Sequence, residues 1–186
     1  MDNIKAIFMD LDGTVLTSGH KVSKNLIKKL RELEGKGVKT FVATGRTFSS
    51  SKPFVEMLGI KNPVINYNGG RVVNPLNSEV IFEKPVEAQD VEELIKVSRE
   101  KGIHLNLYMD DKLYIEHETE EGEKYSESVE IPYYVRNFDE FIGKSSTKAL
   151  FIAENSILLE LKKELEEKLP HLNFVFSKPH YLEDRK

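Results

Sequence analysis

The chain has 186 residues, 39% of them hydrophobic and 31% charged, with a formal net charge of −4; this suits one generous domain or two small ones with a packed core. Acids and bases are interleaved, so there is no basic stripe for nucleic acid, and no apolar run reaches the roughly 18 residues of a membrane span. Cysteine is absent, which excludes disulfide staples, thiolate zinc sites and cysteine nucleophiles. Met1-Asp2-Asn3-Ile4-Lys5 enters a strand-like run without a signal-peptide pattern, and the chain reads as cytoplasmic.

Ile4-Lys5-Ala6-Ile7-Phe8-Met9 is a short apolar run ending in an acid and predicts a buried parallel strand. Ser23 then suits an N-cap. Leu26, Ile27, Leu30 and Leu33 share one helical face, and Gly35 and Gly37 stop the helix. Val38 to Ala43 predicts a second buried strand, ending in Thr44-Gly45-Arg46. A short helix is expected around Phe54 to Leu58, and a third strand over Pro63-Val64-Ile65-Asn66, ending in Asn68-Gly69-Gly70. Strand, helix, strand, helix, strand describes a doubly wound α/β domain over residues 1–82. Its polar motifs all fall at the carboxyl edge of the sheet, where open α/β sheets bind ligands.

The pattern changes after residue 82. Val91, Leu94, Ile95 and Val97 mark a helix that Gly102 ends. Leu105-Asn106-Leu107-Tyr108 and Leu113-Tyr114-Ile115 predict a hairpin turning at Asp110-Asp111-Lys112. The acidic stretch Glu118 to Glu123, broken by Thr119 and Gly122, reads as a solvated helix start. Thr147 to Ala153 predicts a strand. Leu158, Leu161, Leu165 and Leu169 stripe a helix closed by Pro170, and Phe174-Val175-Phe176 with His180-Tyr181-Leu182 predicts a last hairpin around Pro179. Helices plus hairpins make residues 83–186 an α+β domain.

Alternation in an extended segment points Asp10 and Asp12 to one side. Two carboxylates at a strand's end suit Mg²⁺, which prefers hard oxygen ligands. One could attack phosphorus to give an aspartyl phosphate while the other moves protons. Gly13 lets the chain turn sharply. A bare surface Asp-Gly turn is the competing reading, against which stand the apolar strand ahead of the motif and Thr14 behind it. Thr44, Gly45 and Arg46 offer a hydroxyl, an amide and a guanidinium suited to phosphate oxygens, although a plain helix-capping turn with Thr44 as the cap fits the same residues. Asn68 could contact substrate or Arg46, or simply sit in a tight turn.

Asp10-x-Asp12-Gly13-Thr14, Thr44-Gly45-Arg46 and Asn68-Gly69 resemble the haloacid dehalogenase superfamily, specifically its Cof-type phosphatases. Tyr108-x-Asp110-Asp111-Lys112-Leu113-Tyr114 and Tyr181-Leu182-Glu183 resemble segments of that subfamily's α/β cap. The resemblance implies an α/β fold, a doubly wound parallel-sheet core over 1–82 with an inserted α+β cap over 83–186. It implies Asp10 as nucleophile and Asp12 as general acid/base. Mg²⁺ would be held by the Asp10 carboxylate and the Asp12 backbone carbonyl, and the phosphoryl group by Thr44 and the Gly45 amide, with Arg46 and Asn68 beside the substrate. The implied activity is hydrolysis of small phosphate esters, often sugar phosphates. A phosphomutase on the same core and a non-catalytic binding module are the alternatives. A two-component receiver is disfavoured because Asn66 to Gly70 offers no acid.

The family pattern continues past Tyr-Leu-Glu into a lysine motif and a G-D-x-x-N-D motif, whereas this sequence ends at Glu183-Asp184-Arg185-Lys186. The expectation is therefore a truncated form that hydrolyses phosphate esters poorly by itself. Lys148 is no substitute, because it lies in a cap strand. Strands one, two and three placed side by side would leave Ile4 to Met9 at an open edge that invites self-association. His20, His104, His117, His171 and His180 are scattered without metal-ligand spacing.

Overall fold

The chain divides after Glu83 into two units, each with its own buried core. The structure, a computed structural model, describes residues 4–17, 19 and 21–185. Met1-Asp2-Asn3, read above for a signal peptide, lies outside the described residues, as do His20 and Lys186.

The first unit runs β1 (Ala6–Met9), α1 (Lys24–Gly35), β2 (Lys39–Val42), α2 (Phe48–Leu58), β3 (Val64–Asn66), β4 (Arg71–Val73) and β5 (Val80–Glu83). β1 pairs in parallel with β2, from Ala6 opposite Lys39 to Met9 opposite Val42. A parallel bridge between Ala43 and Ile65 carries the order on to β3, with the Thr44 amide donating to the Ile65 carbonyl at 2.9 Å. β3, β4 and β5 then form an antiparallel meander. Leu11, Val42, Val55 and Val64 are fully buried at the centre of this unit.

Two local expectations need correction, on β1 and α2, and one is met. β1 is not a buried strand: it flanks β2 alone among the described strands, and Phe8 is 60% exposed, stacked on Phe41 at 4.6 Å. Ser23 takes the N-cap position of α1 as expected, without a side-chain capping bond. α2 begins at Phe48, well before the expected start, and runs through Pro53. A proline inside a helix removes one backbone bond. The helix continues because Phe48, Ser51, Val55 and Leu58 bury one face and the Thr47 hydroxyl caps the start, accepting from the Ser50 amide at 3.1 Å. Gly59, at φ 73°, ends it in the left-handed region.

The second unit runs α3 (Ala88–Lys101), β6 (His104–Met109), β7 (Lys112–Ile115), α4 (Glu120–Val129), β8 (Tyr133–Val135), β9 (Lys148–Ile152), α5 (Asn155–Lys168), β10 (Asn173–Lys178) and β11 (Tyr181–Arg185). Its six strands lie in the order β10-β11-β9-β6-β7-β8, antiparallel except for β7 with β8. The β6–β7 turn places Asp110 at φ 51° and Asp111 at φ 62°, the two left-handed positions that a type I′ hairpin requires. α4 starts where the acidic stretch suggested: Thr119 caps it by accepting from the Gly122 amide at 3.1 Å, and Glu120, Glu121 and Glu123 fill a first turn that favours negative charge.

Leu94 of α3, Leu105 and Leu107 of β6, Phe151 of β9, Leu161 of α5 and Phe174 of β10 share the core. Tyr108, the other parity on β6, turns its hydroxyl to that of Tyr125 at 2.8 Å, while Lys148 pairs with the buried Glu183. Burial alone would push the Lys148 ammonium down, but Tyr125, Glu183 and Asp184 outweigh it and push it up. No helix among the described residues is long and apolar enough to cross a membrane.

Candidate active site

Three strand ends of the first unit meet at one cleft. β1 delivers Asp10, whose carboxylate Oδ1 accepts from the Leu11 amide at 2.7 Å. Leu11 is buried, so its neighbours Asp10 and Asp12 face outward. The Val15 and Leu16 amides donate back to the Leu11 carbonyl at 3.1 and 2.8 Å, and Gly13, at φ 72°, makes the turn. β2 delivers Thr44, buried, whose Oγ1 accepts from the Arg46 amide at 3.2 Å. The helix cap in this stretch is Thr47 rather than Thr44.

β3 delivers the turn that braces the Thr44 loop. The Asn68 amide donates to the Thr44 carbonyl at 3.1 Å and the Tyr67 amide to the Arg46 carbonyl at 3.2 Å. Tyr67 and Asn68 hold left-handed φ of 52° and 55°, a conformation that non-glycine residues adopt at a cost. Asn68 lies so close over Gly45 that a Cβ there would come within 2.9 Å of its Oδ1.

Asp10, Asp12, Thr44, Gly45, Asn68 and Gly69, with Ala43 and Ile65, line a cleft of about 420 Å³. Arg46, the remaining sequence candidate, does not line it. Its guanidinium grips Asp12 with two bonds, Nε to Oδ2 at 2.8 Å and Nη2 to Oδ1 at 2.7 Å, and lies 5.2 Å from the Phe54 ring centroid. A residue that sequence reasoning did not single out is Asn66. Fully buried, it donates through Nδ2 to the Arg46 carbonyl at 3.1 Å and to Ser51 Oγ at 2.9 Å, tying loop, helix and strand together. Its signal was an amide side chain closing an apolar strand, since most buried polar groups are bonded; its Nδ2 follows that rule, whereas its Oδ1 has no hydrogen-bond partner among the described residues.

The donor set suits a metal that keeps its own water. No group of three or more His, Asp or Glu among the described residues is arranged to hold an ion. Mg²⁺, however, is commonly bound by one or two carboxylates plus water and substrate phosphate, and Asp10 at the cleft offers such a carboxylate.

Comparison with known proteins places the sequence in a family. The sequence profile of the haloacid dehalogenase-like hydrolases covers residues 7–183. The chain belongs to that family. A Haemophilus influenzae protein, provisionally named a phosphatase, is 27% identical over 180 residues, which is 96% of this chain and 68% of the relative. A Yersinia pseudotuberculosis protein named HMP-PP phosphatase is 26% identical, over 94% of this chain and 64% of the relative. The crystal structure of a Thermotoga maritima protein superposes with a TM-score of 0.86 at 28% identity, over 98% of this chain and 69% of its own. The chain thus spans about two thirds of the length of these relatives.

Proposed function

We propose that this haloacid dehalogenase-like chain carries the site of a Mg²⁺-dependent phosphatase acting on small phosphorylated metabolites, sugar phosphates among them. The observation that supports this most is the convergence of Asp10, Asp12, Thr44, Gly45 and Asn68 on one cleft from three separate strand ends. In this reading an Asp10 carboxylate oxygen attacks phosphorus while Asp12 gives its proton to the departing alcohol oxygen. Asp12 then takes a proton from the water that attacks the aspartyl phosphate, releasing phosphate and restoring Asp10. The Leu11 amide on Asp10 Oδ1 fixes the carboxylate's orientation. Thr44 and the Gly45 amide hold the transferring group, Asn68 lines its approach, and Arg46 stands at the rim. Mg²⁺, held by the Asp10 carboxylate and the Asp12 main-chain oxygen, would shield the negative charge gathered there.

The roles of core for 1–82 and cap for 83–186 belong to the same proposal, supported by the division after Glu83. The cytoplasm, where such metabolites are pooled, is the setting this chemistry implies. Self-association is a further part of the reading, supported by the outer edge of β1 and its exposed Phe8.

A panel of small phosphate esters, HMP-PP included, assayed with Mg²⁺ against wild type and Asp10→Asn tests the proposal. Turnover by wild type and none by Asp10→Asn is the expected result, since an amide is a poor nucleophile toward phosphorus. Equal turnover in both removes Asp10 from its role. Phosphoryl transfer to a sugar in place of hydrolysis would favour the phosphomutase reading, and retained phosphate binding without turnover the binding-module reading.

A further inference from the structure

We infer that Arg46 and Asp12 form a latch that a phosphoryl group opens: the guanidinium exchanges the Asp12 carboxylate for the incoming anion, and the freed carboxylate takes up a proton from water and turns toward the reacting oxygen. This rests on the phosphatase reading above and adds to it an order of events within the site.

The geometry is that of a closed clamp. Both Asp12 oxygens accept from the guanidinium, at 2.8 and 2.7 Å, so the clamp fixes the carboxylate's orientation while it is shut. Asp12 lines the cleft and Arg46 does not. The Arg46 main chain is pinned: its amide donates to Thr44 Oγ1, and its carbonyl accepts from the Tyr67 amide and Asn66 Nδ2. Any rearrangement must therefore come from the side chain. Phe54 holds the cation by its ring face whichever anion the guanidinium meets.

The balance of strengths favours exchange. The Asp12 side chain is 50% exposed and that of Arg46 14%. An ion pair open to water on one side is worth little, at most about a fivefold change in an equilibrium. A phosphoryl group presents more charge and three acceptor oxygens to the same planar fork, so it competes well for it. Arg46 is thus a positioning residue for Asp12 in the resting site and a phosphate ligand in the loaded one. That reconciles its place in Thr44-Gly45-Arg46 with its absence from the cleft lining.

The test is a titration of the chain with inorganic phosphate in the presence of Mg²⁺, following the Arg46 side-chain Nε–H resonance by NMR together with the affinity. The expected result is that the resonance moves with phosphate occupancy. Asp12→Asn should also tighten phosphate binding roughly threefold to fivefold more in the Arg46 background than in Arg46→Gln, the surplus being the clamp that phosphate no longer has to open. Arg46→Lys repeats the cycle should Arg46→Gln fail to fold. A lysine keeps the charge but cannot form the two-pronged clamp, so the surplus should again shrink. Phosphate binding with an unmoved Arg46 resonance and equal Asp12→Asn effects in all backgrounds would overturn the latch and leave the phosphatase reading standing. Failure of both wild type and Asp12→Asn to bind phosphate would overturn both.

Discussion

Gly45→Ala tests whether the cleft depends on the close approach of two loops. A methyl group at this position would sit 2.9 Å from Asn68 Oδ1 and 3.4 Å from its Cγ and Nδ2, about half an ångström inside ordinary contact. Relief must come from rotation of the side chain of Asn68. Its backbone is held at φ 55° and ψ 31°, and its amide is bonded to the carbonyl of Thr44, the residue just before Gly45. A methyl group forced into such a contact costs at most about 1–3 kcal/mol, less as the Asn68 side chain turns away. Asn68→Gly in the same chain removes the obstructing side chain and places at that left-handed position the residue that tolerates it best. The double variant should therefore recover most of the loss. Urea unfolding of wild type, both single variants and the double variant measures the stability cycle, and inorganic phosphate binding reports on the cleft. Gly45→Ala is expected to weaken phosphate binding as well as stability. Wild-type stability and undiminished phosphate affinity in Gly45→Ala would refute the close approach; a loss that Asn68→Gly does not repair would place the strain elsewhere.

Asp110→Gly relieves a left-handed φ of 51°, worth roughly 1 kcal/mol, but loosens the unfolded chain by about 0.4–1 kcal/mol, so the urea midpoints of the two chains should nearly coincide. His104 couples stability to pH. Burial holds its imidazole below the usual range, against the opposing pull of Asn106 and Glu121, and Thr119 Oγ1 and Asn106 Oδ1 lie 2.7 and 2.8 Å from its two ring nitrogens. The neutral ring's contribution is complete above the unfolded value of about 6.5 and is lost as pH falls through the lower folded value. The stability lost between about pH 7.5 and about pH 5 should therefore be smaller in His104→Gln than in wild type. Phe8→Lys places a charge on the outer edge of β1 and should shift the chain toward monomer in sedimentation runs over a concentration series; an unchanged distribution would argue against self-association through that edge.

What the sequence determined by itself is what short-range chemistry controls. Asp10 and Asp12 stand where they do because an apolar run must end in a polar turn, and Leu11 between them has only the interior to point into. The Asp110-Asp111 hairpin and the Leu158, Leu161 and Leu165 stripe of α5 follow in the same way from turn preference and helical period. Tertiary structure alone decided the rest. β4, β5 and β8, of three, four and three residues, are too short to show a period and exist because a neighbouring strand supplies their bonds. α2 crosses Pro53 because one buried face outweighs one lost backbone bond. β11 lies between β10 and β9 although it follows both in the chain. Within the cleft, residue types offered groups suited to phosphate oxygens, but did not show that Arg46 would reach back 34 residues to clamp Asp12, nor that Asn66 rather than Asn68 would hold the Arg46 carbonyl. Such partnerships join residues far apart in the chain. Their geometry is set only once the strands are packed side by side, and no local pattern carries it.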